Sequence, residues 1–307
     1  MIDEYIWGKV ERISPEAPVP VVRTVKRDFR LGGAANVALN IHSLGATPII
    51  CSIIGDDADS VRFIQRLKER NISTSGIVKG VGRKTPVKTR VLSGSQHLLR
   101  FDSETDEMLN SVEEKSMIQH ISSLMKSCDV VIFQDYDKGT ISPELIRRTI
   151  DEARSLNIPV VVDPKKRNFL EYRQATLFKP NLKELKEGLN IEFDSDNLDE
   201  VKGAIDELKN TLQCEHVLLT LSEKGVLIDS PNGDHHIPAH IRSVSDVSGA
   251  GDTVISIASL CFGLGLSPRI AAQLANLGGG LVCEYLGVVP IDKDQLYEEA
   301  VNENLVL

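Results

Sequence analysis

The chain has no Gly-x-x-x-x-Gly-Lys-Ser/Thr run, so it carries no P-loop. No Gly-x-Gly-x-x-Gly follows a strand pattern either, which argues against a dinucleotide-binding Rossmann unit. Its 5 cysteines never fall in Cys-x-x-Cys or any other paired spacing, and its 7 histidines show no metal-ligand spacing. A zinc module and a disulfide framework are therefore both disfavoured. Cys51 and Cys128 sit in or beside apolar runs, and Cys261 and Cys283 lie in apolar helical patterns. Reduced, mostly buried thiols in a cytoplasmic protein are the expectation. His235-His236 reads as a solvated turn. An excess of positive charge is also missing: the formal net charge is -9. That argues against general nucleic-acid binding, which needs a basic field, but local Lys and Arg can still receive a small anion. There is no secretory signal pattern and no apolar run long enough to cross a bilayer. Neither a membrane nor a nucleic-acid partner is expected.

What is present is an ordinary globular composition, 41% hydrophobic and 26% charged over 307 residues, enough for a large core in one or two domains. Strand and helix patterns alternate. Gly33-Ala34-Ala35 opens a helix with Val37, Ile41 and Leu44 on one face, closed by Gly45. Residues 47–54 read as a strand, and a helix runs through Val61, Ile64 and Leu67. Val130–Phe133, Pro159–Val162, Thr176–Lys179 and His216–Thr220 read as further strands, while Ser142-Pro143 starts a helix. Continuous apolar strands alternating with helices predict an α/β fold with a mostly parallel sheet covered on both faces. Ligands gather at the carboxyl ends of such strands, and Asp135, Asp163, Asn181 and Ser222 fall there. Two other stretches break this rhythm. Ala17–Val25 is punctuated by prolines and suits an edge strand or an extended arm. Thr85–Leu92 turns at Ser93-Gly94-Ser95 and returns as His97–Asp102, a hairpin.

The stretch Ser245–Thr253 leads straight into a helical pattern in which Val254, Ile257, Ala258 and Cys261 share one face. Gly249-Ala250-Gly251 should sit at that helix N-terminus, where free N–H groups favour an anion. Asp252 then lies in the first turn, placed to take a proton from a hydroxyl while the N–H groups hold a transferring phosphoryl group. An Asp that merely caps a helix is the plain alternative. Asn181 and Glu184, one turn apart, suit hydrated Mg²⁺ at a nucleotide phosphate, and equally suit a helix cap.

Gly32-Gly33-Ala34-Ala35-Asn36-Val37-Ala38 and Asp246-Val247-Ser248-Gly249-Ala250-Gly251-Asp252-Thr253 resemble the two signatures of the ribokinase-like carbohydrate kinases, the PfkB family. The resemblance covers nearly the whole chain. It implies a ribokinase-like fold with a small β-sheet lid, built from about residues 12–30 and 85–102. The chain from 1 to 307 is read as one kinase domain. Within the family, Arg12–Pro20, Asp135–Gly139, Asp163–Lys165 and Pro180–Glu184 resemble kinases of D-glycero-β-D-manno-heptose 7-phosphate. The implied reaction is ATP-dependent phosphorylation of the anomeric hydroxyl, a step of ADP-heptose synthesis for the lipopolysaccharide core.

The same resemblance assigns roles. Asp252 is the catalytic base and Gly249, Ala250 and Gly251 form the anion hole. Asn181, Leu182, Lys183, Glu184, Thr220, Ser222, Gly225 and Asn276 line the ATP site. Asp3, Gly32, Gly33, Asn36, Asp135, Lys138 and Lys165 face the sugar. Lys88, Arg90 and Arg100 on the hairpin are candidates for the sugar phosphate. Glu184 would meet Mg²⁺ through water, and Asp246 and Ser248 match positions beside a monovalent cation, such as K⁺. A homodimer through the lid is expected. Many relatives carry a nucleotidyltransferase domain with a His-x-Gly-His motif; none occurs here, so the kinase step alone is expected. Related kinases place a strand ending in Gly-Asp before the segment that Ile2–Tyr5 resembles. Its absence predicts a gap or bare edge in the sheet and a natural start upstream of Met1. A ribokinase-like kinase for another sugar, or a regulator that binds sugar or nucleotide without catalysis, are the alternatives.

Overall fold

The computed structural model describes residues 1–94, 96–240 and 244–305. The chain opens with a long hairpin, β1 (Ile2–Ile13) and β2 (Pro20–Leu31), and then enters α1 (Ala34–Ser43). A short β-α-β unit follows: β3 (Ser52–Ile54), α2 (Ala58–Glu69) and β4 (Ile77–Lys79). A second hairpin is made by β5 (Val87–Ser93) and β6 (Gln96–Ser103), and leads to α3 (Ser111–Met125). Strand–helix alternation then continues through β7 (Val131–Gln134), α4 (Pro143–Ser155), β8 (Val160–Asp163), β9 (Leu177–Phe178), α5 (Leu182–Leu189), α6 (Leu198–Leu212) and β10 (His216–Thr220). The chain ends with the hairpin β11 (Val226–Ser230) and β12 (Gly233–Ile237) and the helices α7 (Ala250–Gly263), α8 (Pro268–Val282) and α9 (Lys293–Asn302).

The central sheet has the order β12-β11-β10-β9-β8-β7. Strands β7 to β10 pair in parallel, and the β11–β12 hairpin adds antiparallel strands at one edge. Strand parity sorts its residues onto two cores. Val160, Val162 and Phe178 pack with Ile146, Ile150, Leu185 and Leu208 on one side. Val161 and Leu177 pack with Val37, Ile41, Val254, Ile257, Leu277 and Leu281 on the other. Each such side chain stabilises the fold by about 1.5–3 kcal/mol through loss of apolar surface from water.

Local chemistry fixes the helix starts. Ser142 caps α4 by accepting from Leu145 N at 3.1 Å, with Pro143 at the first helical position. Asn181 and Glu184 form a reciprocal capping box at α5.

Strands β2-β1-β5-β6 form a separate four-stranded sheet. It is longer than the sequence pattern indicates, because β1 begins at Ile2 rather than near residue 12. Its alternation is masked by charged residues on both faces. On one face Ile2 pairs with Leu31 and Val87, and these join Ala35, Ala38, Phe63 and Leu67 in a third core. That anchors the sheet to α1 and α2. The other face carries Asp3, Tyr5, Arg30, Lys88, Arg90, Arg100 and Asp102, cross-strand neighbours by register.

Two local expectations differ from the structure. The strand read over 47–54 shortens to Ser52–Ile54, consistent with the restriction that Pro48 places on ladder pairing. His235 and His236 lie in β12, and the turn falls one step earlier at Pro231-Asn232. Among the described residues β7 has no strand partner on its outer side, while β3 and β4 form a ladder of their own.

Candidate active site

The site forms where α7 begins, over the carboxyl ends of β7, β8 and β9. Gly249 adopts φ 89°, a left-handed conformation that lets the loop turn into the helix. The loop ahead of it is pinned by Asp246, whose carboxylate accepts from Ser248 N and Gly287 N, both at 2.9 Å. The first-turn N–H groups of α7 have no acceptors within the helix, so this end favours an anion. The sequence placed Gly249, Ala250 and Gly251 here, and the structure does the same.

Asp252 is 9% exposed. Asn36 donates Nδ2–H to its Oδ2 at 2.8 Å, and Tyr136 donates its hydroxyl to Oδ1 at 2.8 Å. Gln134 Nε2 stands 3.4 Å from Oδ1 and 3.2 Å from Asp163 Oδ2. Burial pushes the Asp252 carboxyl up to about 6; hydrogen bonds from Asn36 and Tyr136 pull it down, Asp163 pushes it up, and Lys179 pulls it down. A carboxylate in this range is suited to proton abstraction near neutral pH.

Lys179 was not singled out from sequence. It is 3% exposed at the end of β9, its ammonium 3.2 Å from Asp163. A Cβ added to Gly251 would lie 4.0 Å from Lys179 Nζ, so a buried cation stands beside the anion-binding helix end. The available signal was a lysine closing an apolar strand just before Pro180-Asn181.

Strand parity also corrects the reading of the β7 end. Asp135 is buried and turned away from Asp252: its carboxylate accepts from Tyr172 Oη at 2.8 Å and Asp137 N at 2.7 Å. Consecutive residues face opposite ways, so Gln134 and Tyr136, not Asp135, reach Asp252. Lys138 is held by Glu104 at 2.5 Å, on the lid side of the same loop.

Several of the residues expected on the nucleotide side lie along neighbouring strand ends. Asn181 bridges to Thr220 between β9 and β10, and Thr220 N donates to Pro180 O at 3.1 Å. Ser222 follows in a left-handed conformation, and Gly225, also at positive φ, packs where a Cβ would lie 2.1 Å from Ile237 O. Asn276 Nδ2 donates to Pro238 O at 2.9 Å. Two expected members lie apart from these: Leu182 packs into the core and Lys183 is solvent-exposed, paired along its helix with Glu187. Glu184 accepts from Asn181 N at 3.0 Å and pairs with Lys165, and Lys165 is held protonated by Asp163 and Glu184 against the opposing effect of burial. Each Glu184 oxygen retains lone pairs, so the pair Asn181–Glu184 fits a hydrated Mg²⁺ carried by nucleotide phosphates. Asp246 retains acceptor capacity in the same way and fits a monovalent cation beside Ser248. Among the described residues no cluster of three or more His, Cys, Asp or Glu forms a dedicated metal cage.

On the side expected to face the sugar, Gly32 permits close approach of Asp3, since a Cβ there would lie 1.9 Å from Asp3 Oδ2. Asp3 is buried and receives Arg90 at 2.5 Å. Arg90 and Arg30 both lie over the Tyr5 ring, at 5.3 and 4.8 Å. Arg30 was also missed from sequence; it reaches the Gly287 loop that Asp246 holds. Lys88 and Arg100 share Asp102, at 3.4 and 2.6 Å, and the Arg100 side chain is half exposed. The structure thus gathers Arg30, Lys88, Arg90 and Arg100 on one lid face.

The description "pfkB family carbohydrate kinase" matches residues 2–294. Among curated proteins the chain is 41% identical over 300 residues to the bifunctional protein HldE of Magnetococcus marinus, covering 96% of this chain and 61% of that protein. It is 37% identical to the bifunctional HldE of Syntrophotalea carbinolica, covering 99% of this chain and 62% of that protein. The chain therefore spans about three fifths of the length of these relatives, 61% and 62%. Among solved structures, the phosphofructokinase-2 from Escherichia coli in complex with potassium superposes with a TM-score of 0.80 at 19% identity, covering 99% of this chain and 96% of that one. A putative ribokinase from Agrobacterium tumefaciens gives 0.73 at 18%, covering 100% and 96%. The fold is ribokinase-like.

Proposed function

The chain belongs to the PfkB family of carbohydrate kinases, and from that premise we propose that it transfers the γ-phosphoryl group of ATP to the anomeric hydroxyl of D-glycero-β-D-manno-heptose 7-phosphate. The observation that carries this reading is Asp252, buried at the start of α7, held by Asn36 and Tyr136 and near the buried Lys179. Asp252 takes the hydroxyl proton as the oxygen attacks in line. The N–H groups of the Gly249-Ala250-Gly251 turn and the Lys179 ammonium hold the equatorial oxygens of the transferring group. Asn181 and Glu184 would hold a hydrated Mg²⁺ that arrives with the nucleotide, and that ion would supply charge neutralisation at the phosphates. A monovalent cation at Asp246 and Ser248 would add positive potential to the same helix end. The choice of substrate is supported by the stretches resembling heptose 7-phosphate kinases and by the identity to the HldE proteins. Of the two activities that "bifunctional" implies for those relatives, the region present here is read as the kinase, a step toward ADP-heptose.

The four-stranded sheet acts as a lid over the sugar in this reading. Leu99 and Phe101, 59% and 49% exposed on the face opposite Arg90, offer an apolar patch for a second copy. Release of ADP, followed with the heptose 7-phosphate, the unphosphorylated heptose, fructose 6-phosphate and ribose, tests the substrate. The heptose 7-phosphate should have the highest kcat/KM. Equal turnover of the unphosphorylated heptose would remove the phosphate contact from the account.

Two results are expected in the same assay. Arg90→Ala should raise KM for the sugar phosphate by about 10- to 100-fold, the scale of a charged hydrogen bond, with KM for ATP within about twofold. The kcat profile should fall on the acid side with a midpoint near pH 6, where the buried Asp252 takes up its proton. An acid limb lying at the ordinary aspartate range, near 4, would mean that another group limits the reaction.

A further inference from the structure

Tyr136 lies one residue from the position that sequence reasoning favoured, and its surroundings are unusually fixed. It follows β7 in the turn Asp135-Tyr136-Asp137. Asp137 and Gly139 in that turn adopt φ 55° and 70°. Asp137 N donates to the buried Asp135, and the Asp137 carboxylate pairs with Arg167 Nε at 2.7 Å. On the other side the ring meets Gly33 of the first signature, where an added Cβ would stand 3.4 Å from Tyr136 Cδ2 and Cε2. The ring is thus held between two elements that meet at the site, and its hydroxyl points at Asp252 Oδ1 at 2.8 Å.

A carboxylate offers about four lone-pair positions. Here Asn36 occupies one on Oδ2, while Tyr136 and, more distantly, Gln134 occupy Oδ1. Building on the kinase reading above, we propose that Tyr136 is a positioning residue, whose hydroxyl orients the Asp252 carboxylate so that its remaining lone pair meets the acceptor hydroxyl of the substrate. The phenol can play this part throughout the working pH range. Burial first, then the charge of Asp252 and its hydrogen bond, push its ionisation well above the ordinary tyrosine value, with Asp163 and Asp3 acting in the same sense. Tyr136 therefore remains a donor and does not compete for the substrate proton.

Removing this donor has a consequence that loss of packing does not share. The hydrogen bond favours the ionised carboxylate, so its loss should raise the pH at which Asp252 becomes a base. The other groups facing Asp252, namely Asn36, Gln134, Asp163 and Lys179, stay in place.

The test is Tyr136→Phe, which keeps the ring against Gly33, followed by the pH dependence of kcat. We expect kcat to fall about tenfold at pH 7.5, as for loss of one hydrogen bond to a charged group. The acid limb should move to higher pH, and KM for ATP should not change. Tyr136→His, a ring that can still donate, should recover part of kcat and bring the limb back, including if Tyr136→Phe proves less stable. Wild-type kcat and an unmoved acid limb in Tyr136→Phe would overturn the inference, as would a limb equally displaced in the Phe and His variants. If the unaltered chain phosphorylates no sugar at all, the kinase reading fails instead, which separates the two outcomes.

Discussion

Asp252→Asn should lower kcat by about 10² or more, the usual scale for loss of a general base, while ATP affinity changes by no more than a few-fold. The amide is nearly isosteric, and the partners of the Asp252 carboxylate, Asn36, Gln134 and Tyr136, are not among the residues proposed for the nucleotide. Stability should move the other way. The folded-state pKa of Asp252 is raised, so the folded state holds its proton more tightly than the unfolded chain. Folding stability from this group is therefore greatest below the unfolded pKa. It falls as pH rises through the folded value of about 6. At pH 7.5 the ionised carboxylate costs on the order of 3 kcal/mol, and a neutral Asn removes that cost. The melting temperature of Asp252→Asn should equal or exceed that of the unaltered chain. An inactive variant with a lower melting temperature would point to collapse of the α7 start rather than loss of a base.

Lys179→Met carries the second large effect. Its ammonium is the buried cation nearest the α7 N-terminus and the partner of Asp163. Loss of a preorganised charge at the transferring phosphoryl group should lower kcat by about 10²-fold. The substitution also takes the paired ammonium from the buried Asp163 and leaves it Gln134 as a donor and Lys165 as a charged neighbour, which costs about 3 kcal/mol. Both activity and melting temperature should therefore fall, unlike in Asp252→Asn. Normal turnover by Lys179→Met would assign Lys179 to structure alone.

The contrast between these two residues shows what the sequence made legible. Asp252 stands in a local pattern, two glycines before an amphipathic helix, so its place at a helix start followed from spacing. Ser142-Pro143 and the Asn181–Glu184 capping box were legible for the same reason, since caps are set by residues within one turn. Lys179 closes an apolar strand, and nothing local distinguishes it from a strand end reaching water; only the approach of α7 shows that it is buried. Asp135 and Tyr136 were separated by strand parity, which cannot be fixed until the last residue of β7 is known. β1 was hidden for a related reason. Its Asp3, Tyr5 and Trp7 serve the site face while Ile2 and Ile6 serve the other, so no simple alternation of polar and apolar residues appears. Arg30 belongs with Arg90 only through the register of β1 with both neighbours, a pairing distant in sequence.

The central claim is that Asp252 drives transfer of phosphate to the anomeric oxygen of a sugar that already carries one phosphate. Phosphorus NMR of the chain with Mg²⁺, ATP and D-glycero-β-D-manno-heptose 7-phosphate tests it most directly. The account predicts ADP together with a second sugar phosphate resonance coupled to the anomeric proton, formed in equal amounts, and neither product on the same timescale with Asp252→Asn. Release of inorganic phosphate alone, phosphate on another carbon, or equal product with Asp252→Asn would contradict it.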